Sequence, residues 1–394
     1  MKKHQYIYTF TALFVFVFIL ISCNKRTALT DVPLDTDSPL ISQAEKIEGG
    51  NLSSIVDSMR FIPLDESQLI GDIKRIRYAN GNLYIIADDK LFLFKDNGEF
   101  VKEVARKGQG PEEVLELNDF DVDSTGLVIL DHTKFLFFDI NGSPKKSVHN
   151  KYGFGRIRLI PGGAGWVMKA VAPTENNHTL IVFDSLGDTI FTAFEPYAFE
   201  VPWVQDLFHL NDSVFLNPLN HSGGNELISL NISSHGGTVI PVSVTGNPLS
   251  AKDYKSTVNA VGGKVHSPQL CFCGFADNKS QLHFAAFKKG KLYVYVYDKE
   301  TGRAIKIHLD EMSNDLTVEY DEDNPFSMIF RTSSDNDYFV SWISDPKTTY
   351  EQSEKLNPRF KAEYSKLANI DEDSNPVVVL VKFKSPVTFG NEDQ

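Results

Sequence analysis

Short apolar runs alternate with turn residues from about residue 70 onward, and the spacing of the apolar positions rarely matches a helix. The runs are four to eight residues long, which is the length of β-strands, and they occur in pairs. The first two pairs are closed by Asn97-Gly98 and Asn141-Gly142, which lie 44 positions apart. Asn-Gly between apolar strands predicts a tight turn in which both residues have positive φ. The pattern therefore predicts a repeated antiparallel hairpin.

Four weaker copies follow these two pairs, so the chain contains six units. The strands assigned to them are 83–88 with 91–94, 127–131 with 135–138, 166–168 with 179–183, 214–216 with 226–230, 282–285 with 291–296, and 338–342 with 377–380. A period of about 40–50 residues with several strands per unit is typical of a β-propeller blade. We therefore predict an all-β fold, a six-bladed β-propeller of four-stranded antiparallel blades, over residues 51–388.

A spare strand over residues 58–64 precedes the first unit. A ring of sheets with an open seam would leave exposed strand edges. We expect this N-terminal strand to close the ring by pairing with the C-terminal blade around residues 377–383. The final residues, 389–394, are predicted to be a disordered tail.

The chain begins with a charged start, an apolar run and a cysteine. Lys2 and Lys3 precede an apolar run over residues 6–21, which is shorter than a bilayer requires, so residues 1–22 are predicted to be a secretory signal peptide. The sequence Leu-Ile-Ser-Cys that ends at Cys23 resembles the bacterial lipobox, in which the cysteine is lipidated after cleavage. The alternative is an uncleaved membrane anchor with an incidental cysteine.

The residues after Cys23 predict a tether. No acidic residue stands next to this cysteine, which favours the outer membrane over retention at the inner membrane. Residues 23–50 are polar, with scattered Pro, Asp, Ser and Thr, and cannot bury enough surface to fold alone. The sequence thus predicts a lipoprotein of the cell envelope, attached through Cys23, on the periplasmic side or at the cell surface.

The charge of the chain argues against nucleic acid as a partner. The formal net charge is −13, and the basic residues form short pairs such as Lys145-Lys146 and Lys288-Lys289 rather than a stripe. An acidic surface repels phosphate backbones.

Three segments resemble a known family. Residues 121–131, Asp-Val-Asp-Ser-Thr-Gly-Leu-Val-Ile-Leu-Asp, look like the core of an NHL-type repeat. Residues 108–113 and 375–380 are similar to segments of the NHL/TolB-like six-bladed propeller lipoproteins of Bacteroidota. The resemblance covers about residues 50–385. It implies a six-bladed propeller and export, and for many such proteins a role in glycan or nutrient handling at the outer membrane.

The resemblance also points to a ligand site. Residues 108–111, Gly-Gln-Gly-Pro, join the outer strand of the first unit to the inner strand of the second, and in NHL-like propellers this connection lies near the central channel. The candidate ligand-binding side chains are Arg106, Lys107, Gln109, Glu112 and Glu113. The alternative is a tight turn in which glycine supplies positive φ and proline stops strand pairing.

Alternating acids at Asp119, Asp121 and Asp123 are similar to a calcium loop. Such a loop would need glycine at position 124 and glutamate at position 130, where the chain has Ser124 and Leu130. The residues are therefore predicted to form an inner strand followed by an Asp-Ser-Thr-Gly turn. We expect no metal and no cofactor, with calcium as the alternative.

The sequence contains no Gly-x-Ser-x-Gly elbow, no phosphate-binding loop and no His-Glu-x-x-His motif. A propeller can still assemble a site from single residues on different blades. His132, Trp203 and His221 are candidates because they lie at loop or strand ends. His283 lies within an apolar strand and is predicted to be a packing residue.

The leading hypothesis is a non-enzymatic propeller lipoprotein whose ligand is a glycan, a peptide or another envelope protein. One alternative is a metal-assisted hydrolase or lyase, with ligands drawn from several inner strands around the central channel. A second alternative is a structural subunit of an envelope complex, which would expose a large apolar patch.

Overall fold

The computed structural model of the chain describes residues 44–47, 49–110, 113–193, 207–210, 213–216, 226–233, 236–243, 271–288, 291–308, 311–317, 334, 336–343, 345–371 and 373–385. They belong to one unit, residues 34–394. The predicted signal peptide, Cys23 and the predicted tail 389–394 lie outside the described residues.

The described chain begins with three short strands and one helical turn. These are β1 (Glu45–Ile47), β2 (Gly50–Asn51), α1 (Leu52–Ile55) and β3 (Val56–Pro63). Strand β1 and the first residue of β2 fall inside segment 23–50, for which the sequence predicts a flexible tether, and both strands are paired in the structure. The end of that segment is therefore β-structure.

Blades one to three are antiparallel sheets of four strands in chain order. Blade one contains β4 (Arg75–Ala79), β5 (Asn82–Ala87), β6 (Lys90–Lys95) and β7 (Phe100–Arg106). Blade two contains β8 (Asp119–Asp123), β9 (Gly126–Leu130), β10 (Lys134–Phe138) and β11 (Pro144–His149). Blade three contains β12 (Gly155–Ile160), β13 (Gly165–Ala170), β14 (Leu180–Asp184) and β15 (Thr189–Ala193), with a 3₁₀ turn at Pro161–Gly163.

Blades four and five continue the pattern. Blade four contains β16 (Leu207–Leu210), β17 (Ser213–Leu216), β18 (Glu226–Ser233) and β19 (Gly236–Ser243). Blade five contains β20 (Cys271–Asp277), β21 (Gln281–Lys288), β22 (Lys291–Asp298) and β23 (Ala304–His308). Strand β1 adds to β23 in parallel as a fifth strand, and β2 pairs in parallel with β24 (Met312–Ser313).

A sixth sheet joins the two ends of the chain. It contains β25 (Phe339–Ile343), β26 (Val377–Phe383) and β3, with β26 in the middle. Between β25 and β26 the chain forms α2 (Pro346–Glu351), α3 (Lys361–Tyr364) and 3₁₀ turns at Ser353–Lys355, Pro358–Phe360 and Ser365–Leu367. None of the helices in the described part of the chain has the length and hydropathy needed to cross a bilayer.

The strand pairs agree with the sequence prediction, but the number of blades does not. All six predicted pairs are antiparallel neighbours in the structure. The expected pairing of the N-terminal strand with residues 377–383 is also present, between β3 and β26. However, five sheets have four or more strands, and the sheet of the sixth unit has three among the described residues. The structure thus shows five blades of the predicted kind, not six.

The two Asn-Gly turns also differ from the prediction. Gly98 and Gly142 have φ values of 89° and 72°, whereas Asn97 and Asn141 keep negative φ. The N–H of Gly98 donates to the carbonyl of Lys95 at 3.0 Å. Only the glycine is therefore left-handed, as in a hairpin loop that ends in a glycine bulge rather than a two-residue turn.

Apolar side chains on both faces of the sheets form the core between neighbouring blades. Successive residues of a strand point to opposite faces. In blade one, Leu83 and Phe92 pack toward the sixth sheet, whereas Tyr84 and Leu93 pack with Phe120 of blade two. Burial on both faces explains why these strands are continuous apolar runs.

The insertion between β25 and β26 covers the exposed edge of β3. The carboxylate of Glu363 accepts the backbone N–H of Phe61 at 2.7 Å. The guanidinium of Arg359 donates to the carbonyl oxygens of Val56, at 2.9 Å, and of Asp57. These side chains satisfy backbone groups that a further strand would otherwise pair, so the edge is closed to other chains.

Replacing Glu363 by alanine leaves the N–H of Phe61 without its acceptor. We expect Glu363→Ala to lower the free energy of unfolding by about 1–3 kcal/mol, measured by urea unfolding with circular dichroism. The control is Glu354→Ala, at an exposed position of the same insertion, with an expected change of about 0.5 kcal/mol or less. Equal losses in the two variants would contradict this role of Glu363.

Candidate functional site

Charged side chains occupy alternating positions on the first strands of blades one, two and three. Arg75 and Arg77 lie on β4, and Asp119 and Asp121 lie on β8. Strand β12 carries Arg156 and Arg158 in the same arrangement. Strand β8 adjoins both β4 and β12, so the aspartates lie between two pairs of arginines.

Ion pairs join the three strands. Asp119 is fully buried and contacts the guanidinium of Arg75 with one carboxylate oxygen and Arg158, at 3.3 Å, with the other. Asp121 lies 3.6 Å from Nε of Arg77. Each aspartate therefore neutralises a buried arginine of a neighbouring blade.

The same two carboxylates bind the backbone of β12. Asp119 accepts the N–H of Ile157 at 3.0 Å, and Asp121 accepts the N–H of Leu159 at 2.8 Å. These bonds satisfy backbone donors that face away from β13. The aspartates thus fix blade two to blade three as well as balancing charge.

Burial and repulsion between the guanidinium groups destabilise the charged form of the arginines. Burial, followed by repulsion from Arg158, lowers the pKa of Arg77 to about 10, against the attraction of Asp121 and Asp277. Burial is also the largest cause that lowers the pKa of Arg75, followed by repulsion from Arg156. Water still reaches Arg75, because 24% of its side-chain surface is exposed.

Three loops lie at the end of the blades where these charged strands begin. Strand β8 runs away from this end and β9 returns to it, because the two strands are antiparallel. By the same alternation, the turn at 131–133 and the loop at 150–154 lie at this end, together with residues 113–118, which lead into β8. We call this end of blades two and three the loop end.

Asn150 holds two of these loops together. Its buried amide donates to the carbonyl of Asp131 at 2.9 Å and to that of Gly153 at 2.8 Å. Gly153 has a φ of 73°, which favours glycine. The arrangement places the ring of Phe154 against His132, with 4.4 Å between ring centroids. Both side chains are exposed, so the loop end presents an aromatic pair to solvent.

The Gly-Gln-Gly-Pro loop is held by its own side chains. Glu113 accepts from Arg106 at 3.1 Å with one carboxylate oxygen and from the N–H of Gly110 at 2.9 Å with the other. The hydrogen bond from Gly110, followed by that from Arg106, lowers the pKa of the Glu113 carboxyl. Arg106 and Glu113 therefore bind each other, while Lys107 and Gln109 are exposed on the same loop.

The structure brings together some of the predicted site residues. Arg106, Lys107, Gln109 and Glu113 share one loop, and His132 lies at the same end of the blades against Phe154. Glu112, Trp203 and His221 lie outside the described residues.

The alternating aspartates form the predicted strand and turn. Asp119 and Asp121 contact arginines, and Asp123 closes the turn by accepting from the N–H of Thr125 at 2.7 Å. In the part of the chain that the structure describes, no group of three or more His, Cys, Asp or Glu side chains is arranged to hold a metal ion.

His283 lies in the core away from the loop end. Its ring packs on Phe339 and Phe383, with centroid distances of 3.9 and 4.6 Å, and Nε2 lies 3.0 Å from the amide oxygen of Gln281. Burial lowers its pKa well below the ordinary range of histidine. The prediction that His283 is a packing residue agrees with this geometry.

Comparison with known proteins assigns the family. The family model described as "Domain of unknown function (DUF4934)" matches residues 39–382. The chain belongs to this family. A solved structure from Bacteroides fragilis, of a protein described as exported, has a TM-score of 0.65 at 19% identity, and the match covers 87% of this chain and 99% of that one. At this identity the likeness shows a shared fold.

Two other solved structures have lower similarity. The WD40 domain of Neurospora crassa Pan2 and the extracellular domain of a one-component system from B. thetaiotaomicron each give a TM-score of 0.36 at 12% identity. They cover 64% and 63% of this chain, and 72% and 29% of their own chains. No curated protein matches the chain.

Sequence reasoning missed the arginines of this DUF4934 propeller. The sequence does contain a signal for them. An Arg-x-Arg motif begins at Arg75 and another begins at Arg156, and an Asp-x-Asp motif that begins at Asp119 lies between the two. The spacings are 119 − 75 = 44 and 156 − 119 = 37 residues, close to one blade each. Charges that recur at the blade period on alternating strand positions predict a charged cluster around the propeller axis.

Removing the Asp119 carboxylate leaves buried arginines without their counter-charge. We expect Asp119→Ala to lower the free energy of unfolding by about 3–5 kcal/mol, because breaking a buried pair strands the remaining charge. Urea unfolding measures the change. Glu116→Ala, three residues away and exposed, is the control, and we expect a change within about 0.5 kcal/mol. A loss in Asp119→Ala no larger than in the control would refute the structural role of the cluster.

Proposed function

We propose that this protein is an exported envelope lipoprotein that binds a ligand, without catalysing a reaction, at the loop end of its propeller. The observations that carry the proposal are the arginine and aspartate cluster on β4, β8 and β12 and the exposed aromatic pair of His132 and Phe154 at the loop end, where these strands begin. The ligand is a glycan, a peptide or another envelope protein.

The energetics of the cluster support a binding role. Taking charged groups out of water costs several kcal/mol per ion, and well-packed apolar side chains of similar size often give equal or greater stability. Three adjoining strands that carry charges in place of apolar residues are therefore better explained by a ligand than by stability. Exposed Phe154, packed against His132, adds an apolar surface of the kind that ligand sites use.

The architecture that we propose for the whole ring has six blades. The sixth blade consists of β25, β26 and β3, with the N-terminal strand as its outer strand. Its support is that β25 adjoins β4 and that the sixth sheet shares one apolar core with blade one, through residues such as Val340 and Ile85. This architecture agrees with the NHL/TolB-like resemblance of the sequence.

The proposed attachment to the outer membrane runs through Cys23. The motif around Cys23 and the preceding apolar run support lipidation. The twenty residues 24–43 separate this cysteine from the described chain, and at full extension they span at most about 70 Å. The propeller therefore has room to present its loop end away from the bilayer.

Binding at the loop end is testable with a double variant. The full chain, purified in detergent, is screened on arrays of glycans and peptides, and the affinity of the best binder is measured by calorimetry. We expect His132→Ala combined with Phe154→Ala to weaken this affinity at least about tenfold, because the aromatic surface is lost. Leu186→Ala is the matched control, because this exposed apolar residue lies in the β14–β15 turn at the other end of the blades. Unchanged affinity in the double variant would refute the proposed site.

Lipidation is testable independently of the ligand. Cells that express the full chain are grown with a fatty acid carrying an alkyne, and we expect Cys23→Ser to abolish its incorporation. Cys271→Ser, which changes another of the three cysteines, should leave the incorporation intact. Mass spectrometry should show loss of residues 1–22 from the wild-type chain. An uncleaved chain that carries no lipid would refute the lipoprotein assignment.

A further inference from the structure

The first strand of the described chain is short and exposed. Strand β1 pairs with β23 of blade five over Glu45, Lys46 and Ile47. Glu45 and Lys46 are exposed, and Ile47 is half-buried against the core cluster that contains Ile307. Three residues that bury little apolar surface gain little free energy on pairing, and fixing their backbone costs entropy. Strand β1 is therefore held weakly.

The ion pairs of Glu45 and Lys46 do not fix β1 either. The carboxylate of Glu45 lies 3.3 Å from the guanidinium of Arg303, and both side chains are at least half exposed. The ammonium of Lys46 lies 3.9 Å from the carboxylate of Glu311, and both of these groups are exposed as well. Ion pairs between exposed groups contribute little, because water screens the charges and long side chains lose freedom when they are paired.

Two glycines separate β1 from the chain that follows it. Gly49 and Gly50 have φ values of 66° and 117°, in the region that favours glycine. Glycine loses more conformational freedom than any other residue when its backbone is fixed, so a released segment that begins at glycine regains more entropy. The junction between β1 and the rest of the chain therefore has the composition of a hinge.

The chain after these glycines is fixed by buried contacts. The side chains of Leu52 and Ile55 are 0% and 1% exposed. The carboxylate of Asp315 accepts the N–H of Ser53 at 2.9 Å and its hydroxyl at 2.5 Å. Strand β3 then pairs with β26 along its whole length. The change from exposed to buried contacts thus falls at the two glycines.

Blade five keeps its own contacts when β1 is absent. Strand β23 pairs with β22 from Ala304 to His308. The side chains of Ile305 and Ile307 are 1% and 0% exposed and belong to the same core cluster as Leu52. Loss of β1 would therefore expose the backbone edge of β23 and leave the core of the blade in place.

We infer that residues 44–49 form a releasable strap, which detaches from β23 and closes on it again while α1, β3 and the blades stay folded. Release lengthens the chain between Cys23 and the fixed part from the twenty residues 24–43 to the 26 residues 24–49. The greatest possible span then rises from about 70 Å to about 90 Å. This gain in reach rests on the attachment through Cys23 proposed above, whereas the opening itself does not.

Hydrogen exchange measures the opening. The full chain is purified in detergent, and its exchange is resolved to single residues by mass spectrometry. A variant with Lys46→Cys and Lys306→Cys supplies a locked form, because these two residues are directly opposite in the β1–β23 pair. Neighbouring strands are about 4.8 Å apart, which a disulfide can bridge. Peptide mapping confirms which cysteines are joined.

We expect the amides that β1 contributes to its pairing to exchange at least about a hundredfold faster than those of β3, because local opening costs less than global unfolding. Oxidation of the double variant should slow exchange in β1 at least about tenfold and leave β3 unchanged, and reduction should restore the fast rate. Asn82→Cys with Lys95→Cys is the matched control, because these residues are opposite each other within blade one. Its oxidation should not alter exchange in β1.

A second variant loosens the strap instead of locking it. Ile47→Ala removes the half-buried apolar contact of β1, and we expect exchange in β1 to become at least about threefold faster. Ile190→Ala is the control, because Ile190 is a partly exposed residue on β15, the outer strand of blade three. It should leave exchange in β1 at the wild-type rate.

Three results would overturn the inference. The first is exchange in β1 as slow as in β3, and the second is an oxidised double variant that exchanges like the reduced one. The third is a common rate for β1 and residues 52–63 that changes for both in Ile47→Ala, because the whole N-terminal segment would then open together. Fast exchange in β1 of a chain that carries no lipid would retain the strap and reject the gain in reach. Binding at the loop end is decided separately, by the double variant of His132 and Phe154.

Discussion

The carboxylate of Asp119 connects three blades, and the arrangement of the inner strands depends on it. One oxygen contacts Arg75 of blade one, and the other contacts Arg158 and the N–H of Ile157 in blade three. Asp121 repeats the pattern two residues later with Arg77 and with the N–H of Leu159. Because both aspartates, Arg77 and Arg158 are buried, loss of one of these contacts leaves an uncompensated charge in a region of low dielectric. The inner strands are therefore held by polar contacts that allow little variation in their relative position.

The apolar contacts between blades depend much less on direction than the polar contacts between the inner strands. Side chains such as Leu83 and Tyr84 point to opposite faces of one sheet and pack into different cores. Such cores tolerate changes of shape when volume is conserved, since dispersion and apolar burial have no direction. The propeller thus derives stability from the apolar cores between its blades, while the charged side chains of the inner strands fix how those strands lie against one another. A fixed set of charges on a tolerant scaffold is the arrangement that a ligand site requires.

The sequence predicts the strand pairs well because each pair is a local feature with apolar residues on both strands. It predicts Gly98 and Gly142 at their turns, but not that Asn97 keeps negative φ, since the bulge depends on the pairing of the third strand. Two-residue turns with positive φ at both positions occur instead at Asn80-Gly81 and at Asp88-Asp89. The arginine cluster was missed because β4 and β12 carry charges and so lack the apolar run that marks the other strands. Its assembly needs three strands that are separated by whole blades, which no local pattern reveals.

The N-terminal segment is joined to parts of the propeller that lie outside the charged cluster. Strand β1 pairs with β23 of blade five, and β3 is the edge strand of the sixth sheet. Between them, Asp315 accepts the N–H of Ser53 at 2.9 Å and the amide of Asn357 at 2.9 Å, which ties the segment to the insertion. A tether from Cys23 would thus pull on the outer edges of blade five and the sixth sheet, whereas the charged cluster belongs to blades one to three. Strands β1 and β3 are each paired with a neighbouring strand, so a force on the tether would act on these two pairs and not directly on the charged cluster. The proposed attachment through Cys23 would therefore act on strands other than β4, β8 and β12, which carry the charged cluster.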